Sequence, residues 1–107
     1  MNNCELNGWE DKHITTDAST SYQFTASYDG FIYANLSNQN ANNHILHIYI
    51  NTVDFVNQFH GGYGSTNMTI PYNKGDTVEV TAFRDSTPIN YFLVRTNEYK
   101  KRDYSNR

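Results

Sequence analysis

The chain has 107 residues, with 37% apolar and 18% charged positions and a formal net charge of -3 at pH 7. That length fits one domain, which can bury about two-thirds of its unfolded surface without metal or disulfide. The acidic balance argues against a nucleic-acid surface, which needs clustered Lys and Arg, and no apolar run approaches the ~20 residues of a membrane helix. Nine Tyr and six Phe offset the modest aliphatic content, because their large faces can fill a thin core. The mean hydropathy of -0.74 reflects Asn, Ser and Thr rather than charge. This is the composition of a turn-rich β-protein, not of a disordered chain. The single Cys4 cannot form an internal disulfide. The opening Met1-Asn2-Asn3-Cys4-Glu5 lacks the charged and apolar blocks of a secretory signal.

Residues 1–21 are polar and turn-forming, with Trp9 after Gly8 and a short edge strand expected at His13-Ile14-Thr15-Thr16. Trp9 is expected to pack across the end of the domain or on a neighbouring subunit rather than to serve as a ligand platform. Asp17 to Ser21 reads as a loop. From Tyr22, alternation of Tyr22, Phe24 and Ala26 with Gln23 and Thr25 marks a half-buried strand. Asp29-Gly30 predicts a tight turn, glycine allowing a positive φ, and Phe31 to Leu36 then returns as the second arm of a hairpin. Ser37 to Asn43 is a polar loop. His44 to Asn51 follows as a strand with Leu46, Ile48 and Ile50 on one face and Ile45, His47 and Tyr49 on the other. Apolar groups on both faces imply a central strand, or one face closed by a partner.

Asn51-Thr52 turns the chain into Val53–Phe59, where Val53 and Phe55 share a face. The breaker His60–Ser65 leads to a strand over Thr66–Tyr72, which Pro71 ends or places at an edge because it lacks an N–H. Asn73-Lys74-Gly75-Asp76 is a turn. Thr77–Arg84 is the cleanest amphipathic strand, with Val78, Val80 and Ala82 on one face. Asp85–Ile89 is a loop, Asn90–Thr96 the last strand, and Asn97–Arg107 a charged tail, frayed or attached to a partner. About seven or eight strands with turns between them and no helical period predict an all-β antiparallel sandwich or jelly roll. Its organisation would be an N-terminal segment over 1–21, the sandwich over 22–97 and a tail over 98–107.

Three features carry a family likeness: the aromatic-Thr-Ala segment ending in Asp29-Gly30, the hydrophobic strand ending in Asn51, and Lys74-Gly75-Asp76-Thr77-Val78 before the final strands. Together they resemble the C-terminal jelly-roll domains of bacteriophage tail fibres and related receptor-binding proteins. More distantly they are similar to the trimeric heads of complement and tumour-necrosis-factor proteins. Ser27 stands where the phage pattern has Pro, and the last strand lacks its aromatic-Pro-Tyr-Lys ending. The resemblance implies a homotrimer on a virion or at the cell surface, attached to cell-surface polysaccharide. The alternatives are a monomeric carbohydrate-binding or accessory module of a secreted enzyme, and a purely structural trimerisation domain.

Catalytic chemistry finds little support in the residues. His44 and His47, three apart on a strand, would face opposite ways and cannot hold one metal without a bulge, even with His60 nearby. They read as surface or interface histidines. No Ser sits in a strand-to-helix elbow, and the segment HGGYG lacks the Lys and helix of a phosphate loop. Asp29, Asp54, Asp76, Glu79 and Asp85 mostly lie beside turns, where Asp is expected structurally. The expectation is a non-enzymatic protein without cofactor or metal. Binding is placed in the loops, on Tyr63 between glycines and His60 beside it, with Asn40, Asn42, Asn43, Asp85 and Ser86. There aromatic faces can stack on sugar rings while amides and carboxylates bond hydroxyls. Tyr63 folding back onto its own sheet remains the alternative.

Overall fold

The computed structural model describes residues 4–15, 19–38, 44–59, 64–84 and 90–101. These form nine strands: β1 (Cys4–Leu6), β2 (Glu10–Thr15), β3 (Ser19–Thr25), β4 (Gly30–Asn38), β5 (His44–Ile50), β6 (Val53–Phe59), β7 (Gly64–Tyr72), β8 (Thr77–Arg84) and β9 (Asn90–Lys101). β1 and β2 lie end to end along the same side of β9. Between them the chain bends at Gly8, whose φ of 97° is left-handed, and its N–H donates to Asn97 Oδ1 at 2.8 Å. With β1 and β2 counted as one edge, the sheets run β1/β2-β9-β4-β7 and β3-β8-β5-β6, antiparallel throughout. β5 and β6 form a hairpin within one sheet, whereas the described connections β3–β4 and β7–β8 join one sheet to the other. That is the jelly-roll arrangement of a sandwich.

Alternation fills the interior. Ile32, Ala34 and Leu36 of β4 and Phe92 and Val94 of β9 meet Leu46, Ile48, Val78 and Val80 from the facing sheet, all buried. Each large apolar side chain so buried contributes about 1.5–3 kcal/mol. Pro71 falls on β7, the edge strand of its sheet, as its missing N–H requires.

The fold corrects four expectations. The Tyr22 and Phe31 strands are not a hairpin. β3 pairs with β8, while β4 pairs with β7 and β9. The reason is that both strands have an apolar face to bury, and placing them in opposite sheets turns both faces inward. Gly30 is needed for a different reason from a positive φ. A Cβ there would lie 2.7 Å from the Asn97 carbonyl oxygen, so its neighbour strand approaches too closely for any side chain. The segment 97–101 is not a frayed tail but the second half of β9, covered by β4 and β1. His44 is no surface histidine: it is fully buried on the inner face of β5, while His47 faces outward. On the outer face of β9, Leu93 is only 6% exposed within one chain. Leu93 is flanked on the outer face by Ile14 and Asn35.

Candidate functional site

The sequence-predicted loop residues Asn40, Asn42, Asn43, His60, Tyr63, Asp85 and Ser86 lie outside the described residues. Their flanks are described. Asn38 pairs with both Gly64 and Asn90, and His44 pairs with both Phe59 and Arg84. All three connecting segments therefore depart from the same end of the sandwich.

The opposite end is locked by turn chemistry. The Asn73 carbonyl accepts from the Asp76 N–H at 3.0 Å, and Gly75 between them has a φ of 93°, the position and sign of a type II turn. Asp76 accepts from the Asn73 N–H and from the Asn51 side-chain amide, both at 2.8 Å. Those two donors, the backbone one first, hold its carboxyl below the usual carboxylate range. Asp29 Oδ1 accepts from the Lys74 N–H at 2.8 Å. Tyr72, buried at the same end, donates to Glu98 Oε2 at 2.7 Å. Burial, and then the Glu98 carboxylate, push its phenol well above the ordinary value. Asp29 and Asp76 are thus engaged in structure. Asp54 Oδ1 lies 2.9 Å from His47 Nδ1 and accepts its proton when the ring carries it on that nitrogen. Among the described residues no three His, Cys, Asp or Glu side chains gather as a metal site.

Exposed aromatic rings gather on the outer face of the β9–β4 sheet. Inward Ile32 and Ala34 leave Phe31 and Tyr33 pointing outward by strand alternation. Trp9, held beside Gly8 at the bend between β1 and β2, meets Tyr33 edge-on at a centroid distance of 6.1 Å and 69°. Nearly half of Trp9 stays exposed, at 49%. Across the ladder from Tyr33, Arg95 donates through Nε to Asp11 Oδ1. Trp9, Tyr33 and Arg95 line a hollow of about 270 Å³. Further along the face Phe31 tilts against Tyr99, with centroids 6.1 Å apart. These two, with Asp29, Pro71 and Asn73, line a larger groove of about 460 Å³. The result is a strip of four aromatic rings with a guanidinium and two carboxylates at its margins.

Sequence reasoning missed this strip. The outward phase of Phe31 and Tyr33 was readable from β4 alone. What could not be read was that residues 4–15 run back along β9 and bring Trp9 and Asp11 to Tyr33 and Arg95, positions far away in the chain.

No protein-family model matches the chain, and no curated protein matches it. Among solved structures it is similar to part of dimeric latent PorU from Porphyromonas gingivalis, at 11% identity and a TM-score of 0.42, covering 84% of this chain and 12% of that one. It is also similar to the carbohydrate-binding module CBM36 in complex with calcium and xylotriose, at 18% identity and a TM-score of 0.39, covering 92% of this chain and 94% of that one. At such scores neither likeness carries an argument, and the jelly-roll sandwich rests on the chain's own strand pairing.

Proposed function

We propose that this domain is a non-catalytic carbohydrate-binding module that holds glycan on the outer face of the β9–β4 sheet. The observation that carries the proposal is Trp9, half-exposed and braced edge-on by Tyr33 next to the Arg95–Asp11 pair. Pyranose rings present apolar C–H faces that stack on aromatic planes, and their hydroxyls accept hydrogen bonds from guanidinium groups and donate them to carboxylates. A ring already fixed by a neighbour loses little rotamer freedom on binding. At one end of the sandwich Asp29 and Asp76 are engaged by turn N–H groups and Glu98 by the Tyr72 phenol, which supports binding without hydrolysis. A fibre-tip domain would meet cell-surface polysaccharide, whereas an accessory module would meet the substrate of its parent enzyme.

The test is a glycan array followed by calorimetry on the best ligand, with Trp9→Ala and Tyr33→Ala as variants. Each variant is expected to weaken binding about tenfold or more, equivalent to ~1.4 kcal/mol. Unchanged affinity in both variants, with the fold intact by circular dichroism, would overturn the proposal.

A further inference from the structure

The four sheet edges of this sandwich are not equally protected. β2 carries Glu10, Asp11 and Lys12 with a register shift between Asp11 and His13. β7 carries Pro71, and β3 turns Ser21, Gln23 and Thr25 to solvent. Charges, bulges, proline and polar side chains are the devices that keep edges from pairing. β6 has none of the first three except Asp54, and it pairs with β5 without a register shift. It also leaves Val53, Phe55 and Val56 exposed at 57%, 37% and 54%.

We propose that β6 is a homodimerisation edge, pairing antiparallel with β6 of a second copy about a two-fold axis through Val56. The phase of the backbone supports this register. Ile50 and Val53 flank the two-residue turn at Asn51-Thr52. They form its hydrogen-bonded pair, which directs the N–H and C=O groups of Val53, Phe55 and Asn57 toward β5. Those of Asp54, Val56 and Gln58 are left on the open edge. Setting Val56 opposite Val56 of the partner subunit then places Asp54 opposite Gln58 of the partner subunit, in both directions. All three outward-facing residues find hydrogen-bonding partners, giving about six backbone hydrogen bonds across the axis. The neighbouring register centred on Asp54 would set two carboxylates face to face, which is unfavourable. The only charge on the strand therefore disfavours that neighbouring register, and the Val56-centred one pairs all three edge residues within β6.

An axis normal to the sheet leaves each subunit's outward direction unchanged. Both β9–β4 faces consequently point the same way. On the glycan reading above, the pair presents two binding faces to one surface and gains avidity without a new contact. The pairing itself does not depend on that reading.

Light scattering tests the pairing directly. At ~100 µM, a concentration suited to an interface below the standard ~1,600 Å², the expected mass is twice the 12.4 kDa of one chain. Val56→Lys puts like charges across the axis and is expected to return the mass to that of one chain. Its far-UV spectrum should be unchanged, since the site is more than half exposed. In a Cys4→Ser background, Val56→Cys is expected to form a disulfide-linked dimer on mild oxidation, whereas Ile14→Cys on the other sheet is not. A mass of one chain or of three at that concentration, a dimer that survives Val56→Lys, or equal cross-linking at both cysteines would overturn the proposal. None of these outcomes bears on glycan affinity, which is measured separately on Trp9 and Tyr33.

Discussion

Thr52→Gly is expected to stabilise this protein. The two residues joining β5 to β6, Asn51 and Thr52, have φ angles of 52° and 82°. Two positive angles in a two-residue hairpin loop define the type I′ turn, whose preferred sequence is Asn-Gly. Asn suits its place: its backbone N–H donates to the Thr77 carbonyl, Oδ1 accepts from the Thr77 N–H, and Nδ2 donates to Asp76 Oδ1, each at 2.8 Å. Thr52 does not suit its place. A β-branched residue in the left-handed region is an outlier, costing roughly 1–2 kcal/mol. Glycine removes that strain but loses about 0.5–1 kcal/mol more backbone entropy on folding. The difference leaves a net gain of about 0.5–1 kcal/mol, which for a domain of this size raises Tm by roughly 2–8 °C. Thermal unfolding followed by circular dichroism, checked by urea titration at fixed temperature, reads it. A Tm equal to or below that of the parent would show that Thr52 is not strained where it sits. Asn51→Gly is the matched control. It removes both side-chain hydrogen bonds while keeping the turn conformation, and it should lower Tm.

Three further outcomes follow from the locked end of the sandwich and from β4. Gly30→Ala drives a methyl group into the β9 backbone, 2.7 Å from the Asn97 carbonyl oxygen, and should cost about 1–3 kcal/mol in urea unfolding; a smaller loss would mean that β9 yields freely. Tyr72→Phe leaves the Glu98 carboxylate without its donor and should cost about 1–3 kcal/mol. Because the folded state holds the Tyr72 phenol above its ordinary value, the parent binds that proton more tightly when folded. The Tyr72 contribution to stability should therefore be constant below pH ~10 and fall above it, and Tyr72→Phe should remove that alkaline loss. Asp76 behaves oppositely. Its carboxyl is held below the unfolded value of 3.8, so its contribution is full above that pH and vanishes as pH falls through the lower folded value. Asp76→Asn should flatten the stability profile in that acid window, and an unchanged profile would show that the two donors do not favour the charged form.

The residues spoke clearly where the information is local. Alternation marked Val78, Val80 and Ala82, and also Leu46, Ile48 and Ile50, as inward faces, since a strand repeats every two residues whatever it pairs with. Proline at position 71 marked an edge because a missing N–H is a property of one residue. Gly75 before Asp76 marked a turn for the same kind of reason. Pairing is different in kind. Which strand lies beside which depends on how the apolar faces close over one another, and a short connection between two strands is compatible with a hairpin or with a crossing between sheets. Hence β3 and β4 went to opposite sheets, and residues 97–101 became strand because β1 and β4 cover them. The aromatic face was hidden for the same reason. Phe31 and Tyr33 show their outward direction in their own strand, but Trp9 and Asp11 reach Tyr33 and Arg95 only through the antiparallel ladder between β2 and β9. Local sequence determined that this protein is a β-sandwich and which side of each strand faces in; tertiary closure alone decided which distant residues share a surface.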